Sequence, residues 1–177
     1  MHLVAPPTLR AFVDADWAGN PNDRSSTSAN AIFLGESLIS WRLVKQRTIA
    51  KFSTEAEYRG LSTAASETIW IESLLRELRY PLLSPPLLLC DNKGATTSSV
   101  NLVFHSRMKH VAIDFHFVRQ RVQRGLLEVH HIPSSAQIAD SLTKPLPRHS
   151  FILLRDKLRI LGSDRMPGLR GCIEGNK

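Results

Sequence analysis

Four carboxylates, Asp14, Glu55, Asp91 and Asp140, stand far apart in the chain, each where an apolar run ends or a helix begins beside one. Each has an ordinary explanation when taken alone. Asp14 suits a turn, Asp91 an N-cap, and Glu55 the first turn of a helix, where the dipole favours an acid. Asp140 suits a solvated surface. Together they point elsewhere, because functional groups in α/β layers collect at strand ends and in the helix turns next to them. Carboxylates gathered in one place repel one another and raise at least one pKa. A pair of divalent cations relieves that repulsion and serves displacement at a phosphodiester, one ion activating the attacking water and the other stabilising the leaving oxygen. Mg²⁺ suits such a site, since it takes a few carboxylates together with water and phosphate oxygens. Asp16 competes with Asp14 for the first position.

The elements that must position these acids follow from the apolar pattern. Thr8 to Asp14 reads as a strand running into a turn, and Asn20 to Ser28 as a polar loop. Ala29 to Gly35 is a second strand, Gly35-Glu36-Ser37 a hairpin signal, and Leu38 onward a third strand. Three strands so closely spaced predict an antiparallel meander. Leu61, Ala64, Ala65, Ile71, Leu75 and Leu78 recur at helical spacing and predict a helix over 53–78. Thr54 and Glu57 fit a capping box at its start, and Tyr80-Pro81 stops it. Leu87 to Cys90 suits a strand buried on both faces, followed by a short helix over 93–99. A helix over 110–124 carries Val111, Phe115, Val118 and Val122 on one stripe, with Gly125 as its C-cap. Leu126 to Ile132 is a fifth strand. Ser134 or Ser135 is expected to cap a helix holding Ile138, Ala139, Asp140 and Leu142. The last helix covers about 148–161. The fold class is α/β, a mixed sheet covered by helices. The expected organisation is a lead-in over 1–8, a domain over 9–146, a C-terminal helix over 147–161 and a loose tail over 162–177.

Composition bounds the partners. The 177 residues suffice for one domain with a sizeable core. The net charge of +7 favours a polyanionic partner. No apolar run is long enough for a bilayer, so no membrane partner is expected, and Met1 to Ala5 lacks a signal-peptide pattern. Cys90 and Cys172 form no metal-spaced set. His105, His110 and His116 do not share a helical face, which argues against zinc. His130 and His131 read as strand residues, and Trp17 and Trp41 as buried aromatics.

At these residues the sequence resembles a known family. Phe12-Val13-Asp14-Ala15-Asp16-Trp17-Ala18-Gly19, Ser53-Thr54-Glu55-Ala56-Glu57-Tyr58-Arg59, Cys90-Asp91-Asn92-Lys93 and Ala139-Asp140-Ser141-Leu142-Thr143-Lys144 resemble the ribonuclease H domain of copia-type LTR retrotransposon Pol polyproteins. Asp23 to Ser28, Leu38 to Trp41, Phe104 to His110 and Ile113 to Arg119 match as well. The resemblance covers roughly residues 9–160, in order. It implies a ribonuclease H-like fold with a five-stranded mixed sheet flanked by helices. The implied activity is metal-dependent endonucleolytic hydrolysis of the RNA strand of RNA–DNA hybrids during reverse transcription. The implied catalytic acids and metal ligands are Asp14, Glu55, Asp91 and Asp140, holding two Mg²⁺, with Mn²⁺ as the alternative ion. This mapping prefers Asp14 to Asp16 and leaves Glu57 to the capping role. The chain departs from the family pattern at Ser28-Ala29-Asn30, Phe52 and Ala112.

The expected partners are the hybrid and the reverse transcriptase domain of the same polyprotein. Arg107, Lys109, Arg119, Arg121 and Arg124 form a basic stretch that suits a phosphate track without sequence specificity. Arg24, Asn92, Arg107, Lys109 and Arg119 are the expected nucleic-acid contacts. The expected location is cytoplasmic, in a virus-like particle, or nuclear. The rivals are an inactive nucleic-acid-binding remnant of a Pol polyprotein and an integrase or transposase.

Overall fold

A computed structural model of the protein describes residues 7–100 and 112–158. Three strands open the chain: β1 (Leu9–Asp16), β2 (Thr27–Leu34) and β3 (Ser37–Lys45). They form the expected antiparallel meander, with Leu9 opposite Leu34 and Asp16 opposite Thr27. Gly35 turns the hairpin at φ +63, a conformation only glycine adopts freely. The long helix α1 (Ser53–Glu77) follows, then β4 (Leu87–Cys90), α2 (Lys93–Val100), α3 (Ala112–Gln123), β5 (Glu128–His131), α4 (Asp140–Thr143) and α5 (Arg148–Lys157). The sheet order is β3-β2-β1-β4-β5, with β4 parallel to both β1 and β5.

Two cores lie against this sheet. Leu9, Ala11 and Val13 of β1 and Ile32 of β2 pack with Leu61, Ala64, Ala65 and Ile71 of α1. Tyr58 joins them, stacked on Phe115 of α3 with ring centroids 5.4 Å apart. Ala31 and Phe33, which flank Ile32 on β2, pack with Ile138 and Leu158 in a second cluster, the period-two alternation of a sheet with both faces used. A Cβ at Gly60 would meet Val13 Cγ1 at 3.2 Å, so glycine lets α1 lie close on β1. Arg79, at φ +58, ends α1, with the Tyr80 amide donating to Leu75 O.

Four sequence expectations need correction. Thr54 and Glu57 make no capping box: the N-cap is Phe52, without a side-chain cap, and Glu55 reaches back instead to the Lys51 amide at 2.9 Å. Asn92, not Asp91, caps α2, its Oδ1 accepting from the Ala95 amide at 2.9 Å. Ser134 and Ser135 cap no α-helix, since Ser134–Ala136 is a single 3-10 turn and the helix holding Asp140 is one short turn, Asp140–Thr143. Trp17 and Trp41 are exposed, because Trp17 sits beyond the paired strands and Trp41 lies on the edge strand β3. Arg107, Lys109, Val111, the 162–177 tail and most of the 1–8 lead-in lie outside the described residues, as do the three last residues expected in the final helix. No described helix is long and apolar enough to cross a membrane.

Candidate metal centre at the strand ends

Parallel pairing of β1 and β4 sends both strands toward the same edge of the sheet. Phe12 lies opposite Leu89, so Asp14 and Asp91, each two residues further on, are level at that edge. Asp14 is fully buried. It accepts a hydrogen bond from Thr143 Oγ1 and lies 3.2 Å from Lys144 Nζ. Asp91 accepts from Ser134 Oγ at 2.7 Å, and its carbonyl lies 3.1 Å from His131 Nε2. Asp140, at the start of α4, lies 2.7 Å from Lys144 Nζ. Oxygens of Asp14, Asp91 and Asp140 fall within 4.8 Å of one another. Glu57, Cys90 and Asp91 form a second such group. Asp91 belongs to both.

The electrostatics match a gathering of acids. Burial, then the charges of Asp14 and Asp91, raise the Glu57 carboxyl from 4.5 to about 8. Burial also raises Asp140, against the hydrogen bond from Lys144. Cys90 is pushed upward by burial and then by Glu57, so its thiol stays protonated beside that carboxyl. The oxygens form a hard donor set, which suits Mg²⁺ or Mn²⁺ and not a thiophilic ion.

Comparisons with known proteins identify the family and the fold. No family model matches the chain. It is 49% identical over 160 residues to the retrovirus-related Pol polyprotein from transposon RE1 of Arabidopsis thaliana, covering 90% of this chain and 11% of that protein. It is 33% identical over 150 residues to the corresponding polyprotein of transposon TNT 1-94 of Nicotiana tabacum, covering 85% of this chain and 11% of that one. Among solved structures, it resembles the N-terminal RNase H domain of a Mycobacterium tuberculosis protein, with a TM-score of 0.56 and 12% identity, over 85% of this chain and 97% of that one. It also resembles LC11-RNase H1 in complex with an RNA/DNA hybrid, with a TM-score of 0.53 and 15% identity, over 76% of this chain and 93% of that one. This chain is a ribonuclease H-fold relative of retrotransposon Pol polyproteins. It spans about a tenth of the length of the curated relatives it matches.

Within this ribonuclease H fold, three of the four acids expected from sequence converge and one does not. Asp14, Asp91 and Asp140 meet. Glu55 turns away: Arg59 Nη2 lies 2.5 Å from its Oε1, and its Oε2 takes the Lys51 amide. Glu57 stands in its place. Residues two apart on a helix are roughly 200° apart around its axis, so one helix cannot aim both at one point. The signal was present in the sequence. Stepping back four residues from Leu61 on the apolar stripe reaches Glu57, whereas Glu55 falls off that stripe.

Sequence reasoning also missed Gln137, Thr143 and Lys144 as parts of the site. Gln137 is fully buried, and its Nε2 lies 2.8 Å from Val13 O and 3.5 Å from Leu89 O. The β1–β4 register ends at Phe12 and Leu89, and just past it this amide spans the two strands. Its Oε1 accepts the Ala139 amide at 3.3 Å, which fixes the residue before Asp140. Gln137→Leu is therefore expected to cost about 2–3 kcal/mol, because buried carbonyls lose their donor. A urea midpoint at pH 7 unchanged from the parent protein would refute that role.

The expected nucleic-acid contacts are spread more widely. Arg24 lies in the β1–β2 loop at φ +55, and Asn92 caps α2 beside Asp91. Arg119 lies on α3, its guanidinium carbon 5.5 Å from the centroid of the Phe115 ring. A concavity lined by Arg42, Arg47, Arg59 and Thr63 holds none of the site's carboxylates.

Proposed function

We propose that this chain is a copia-type ribonuclease H that hydrolyses the RNA strand of RNA–DNA hybrids during reverse transcription. The observation that carries the reading is the convergence of Asp14, Asp91 and Asp140 at the ends of two parallel strands, with Asp91 shared by a second group that holds Glu57 and Cys90. Asp14, Asp91 and Asp140 would hold one divalent ion, and Asp91 with Glu57 a second, Mg²⁺ being the expected species and Mn²⁺ its substitute. Such ions supply activation of the attacking water and neutralisation of charge on the leaving oxygen.

The protein's own residues keep the acids in place. The Thr143 hydroxyl and Lys144 orient Asp14, Ser134 orients Asp91, and Gln137 fixes the segment that delivers Asp140. Arg24, Asn92, Arg107, Lys109 and Arg119 would hold the hybrid through its backbone, which gives affinity without sequence readout. Discrimination of RNA from DNA would rest on 2′-hydroxyl contacts and groove shape. The reverse transcriptase domain of the same polyprotein is the proposed protein partner, in keeping with the small share of its relatives that the chain spans.

The test uses labelled RNA–DNA hybrid with Mg²⁺ or Mn²⁺. Cuts confined to the RNA strand, leaving 5′-phosphates and abolished by EDTA, are expected. Hybrid binding with no cleavage under either ion would overturn the enzyme and leave an inactive remnant. Cleavage or strand transfer on duplex DNA would favour an integrase.

A further inference from the structure

One cation stands among the acids. Lys144 Nζ lies 3.2 Å from Asp14 Oδ1 and 2.7 Å from Asp140 Oδ1, so a single ammonium bridges two of the three carboxylates of one group. The side chain is partly exposed, with 38% of its surface accessible, whereas Asp14 is buried. Its anchor on the chain is short. Lys144 follows α4 directly, and its amide donates to Asp140 O at 3.0 Å. Lys144 lies four positions after Asp140, an i,i+4 pair across the end of one helical turn. No other Lys or Arg forms an ion pair with Asp14, Asp91, Asp140 or Glu57 among the described residues.

We infer that Lys144 is a resident counter-ion that holds Asp14 and Asp140 together in the metal-free protein and is displaced when a divalent cation binds there. The inference rests on the proposed metal-dependent function and adds a competitor to it. An ammonium and a divalent ion cannot share the same carboxylate oxygens at contact distance without strong repulsion. Metal entry at those oxygens would break both lysine contacts, and the lysine's partial exposure gives it somewhere to go. The arrangement keeps the acids assembled without metal and lowers affinity for it, by a coupling that works equally in both directions.

Isothermal titration with MnCl₂ in the absence of nucleic acid tests this on the full chain, with Lys144→Gln and Lys144→Arg beside the parent. Lys144→Gln should bind Mn²⁺ more tightly, by about fivefold or more, while its metal-free melting temperature falls. Lys144→Arg should stay near the parent in both. A lysine that serves only the fold would lower the melting temperature without tightening Mn²⁺. Unchanged or weaker Mn²⁺ binding by Lys144→Gln, with normal binding by the parent, overturns the inference and leaves the metal site standing. No Mn²⁺ binding by either protein overturns both. A second measurement needs no variant: acetylation of the Lys144 amine in the parent, followed by peptide mass spectrometry, should speed up when Mn²⁺ is added. An unchanged rate with Mn²⁺ bound would also overturn the inference.

Discussion

Glu57→Gln should cripple hybrid cleavage while making the metal-free protein more stable at pH 8. Cleavage should fall on the order of 10³-fold, since losing a ligand to a catalytic ion forfeits several kcal/mol of transition-state stabilisation. The stability effect follows from where the proton sits. Burial and the charges of Asp14 and Asp91 raise the Glu57 carboxyl from 4.5 to about 8. Between those values the unfolded chain releases its proton and the folded one keeps it. The folded state then binds more protons, so its stability falls as pH rises through that window, by up to about 1.4 kcal/mol per pH unit. Glutamine has no proton to lose, so the variant should lack this slope. Removing the Glu57 charge also relieves Cys90, whose thiol that charge helps to push upward. Saturating Mg²⁺ should flatten the slope in the parent by allowing Glu57 to ionise. Glu55→Gln should behave in the opposite way. It should lose roughly 2 kcal/mol of stability by stripping a buried carboxylate from Arg59 and the Lys51 amide, yet cut at close to the parental rate once folded. Urea denaturation from pH 5 to 8, beside cleavage assays, decides between them. A folded Glu55→Gln that cannot cut, beside an active Glu57→Gln, would restore Glu55 to the site.

Asp91→Asn should cripple cleavage as severely and should also remove the shift in melting temperature that Mn²⁺ produces. Asp91 is common to both acidic groups, whereas Asp140 belongs to one. Asparagine keeps the shape and can still accept from Ser134 Oγ, so the fold has little reason to fail. The loss of a charge that would serve both proposed ions is expected to cost more than the loss of one that would serve a single ion. Asp140→Asn, with its partner Lys144 left on Asp14, should retain weak Mn²⁺ binding and a residual rate. Asp91→Asn cutting faster than Asp140→Asn would mean that Asp91 does not bridge.

The strands were readable as apolar runs closed by polar residues or, in β5, from the alternation of Leu127, Val129 and Ile132, and the meander followed from the short separation of the first three. Asp14, Asp91 and Asp140 were readable because their positions at element ends coincide with a familiar ordered pattern. Glu57 was lost to a local rule. A threonine followed three residues later by glutamate resembles a capping box, but α1 begins at Ser53 with Phe52 as its cap, and it is Glu55 that reaches the Lys51 amide. The helical stripe through Leu61 would have corrected the choice. Gln137, Thr143 and Lys144 carried no periodic signal at all. They act through contacts with Val13 and Asp14, more than a hundred positions away, and only the folded sheet brings such residues together. The two tryptophans were misjudged because position, past the end of β1 for Trp17 and on the edge strand β3 for Trp41, and not hydrophobicity, sets their exposure.

Gln137 also bears on the order in which the molecule can be made. A ribosome delivers β1 first, and the meander and α1 can assemble around it while the rest is still being synthesised. The amide that joins Val13 to Leu89 arrives 124 residues after Val13, and the lysine that steadies Asp14 comes later still. A nascent or truncated product ending before Ser134 therefore lacks the assembled acids, together with the Ile138 and Leu158 side chains of the second core. Such a fragment would be silent, and competence to bind metal would appear only once the segment carrying Gln137, Asp140 and Lys144 has been made.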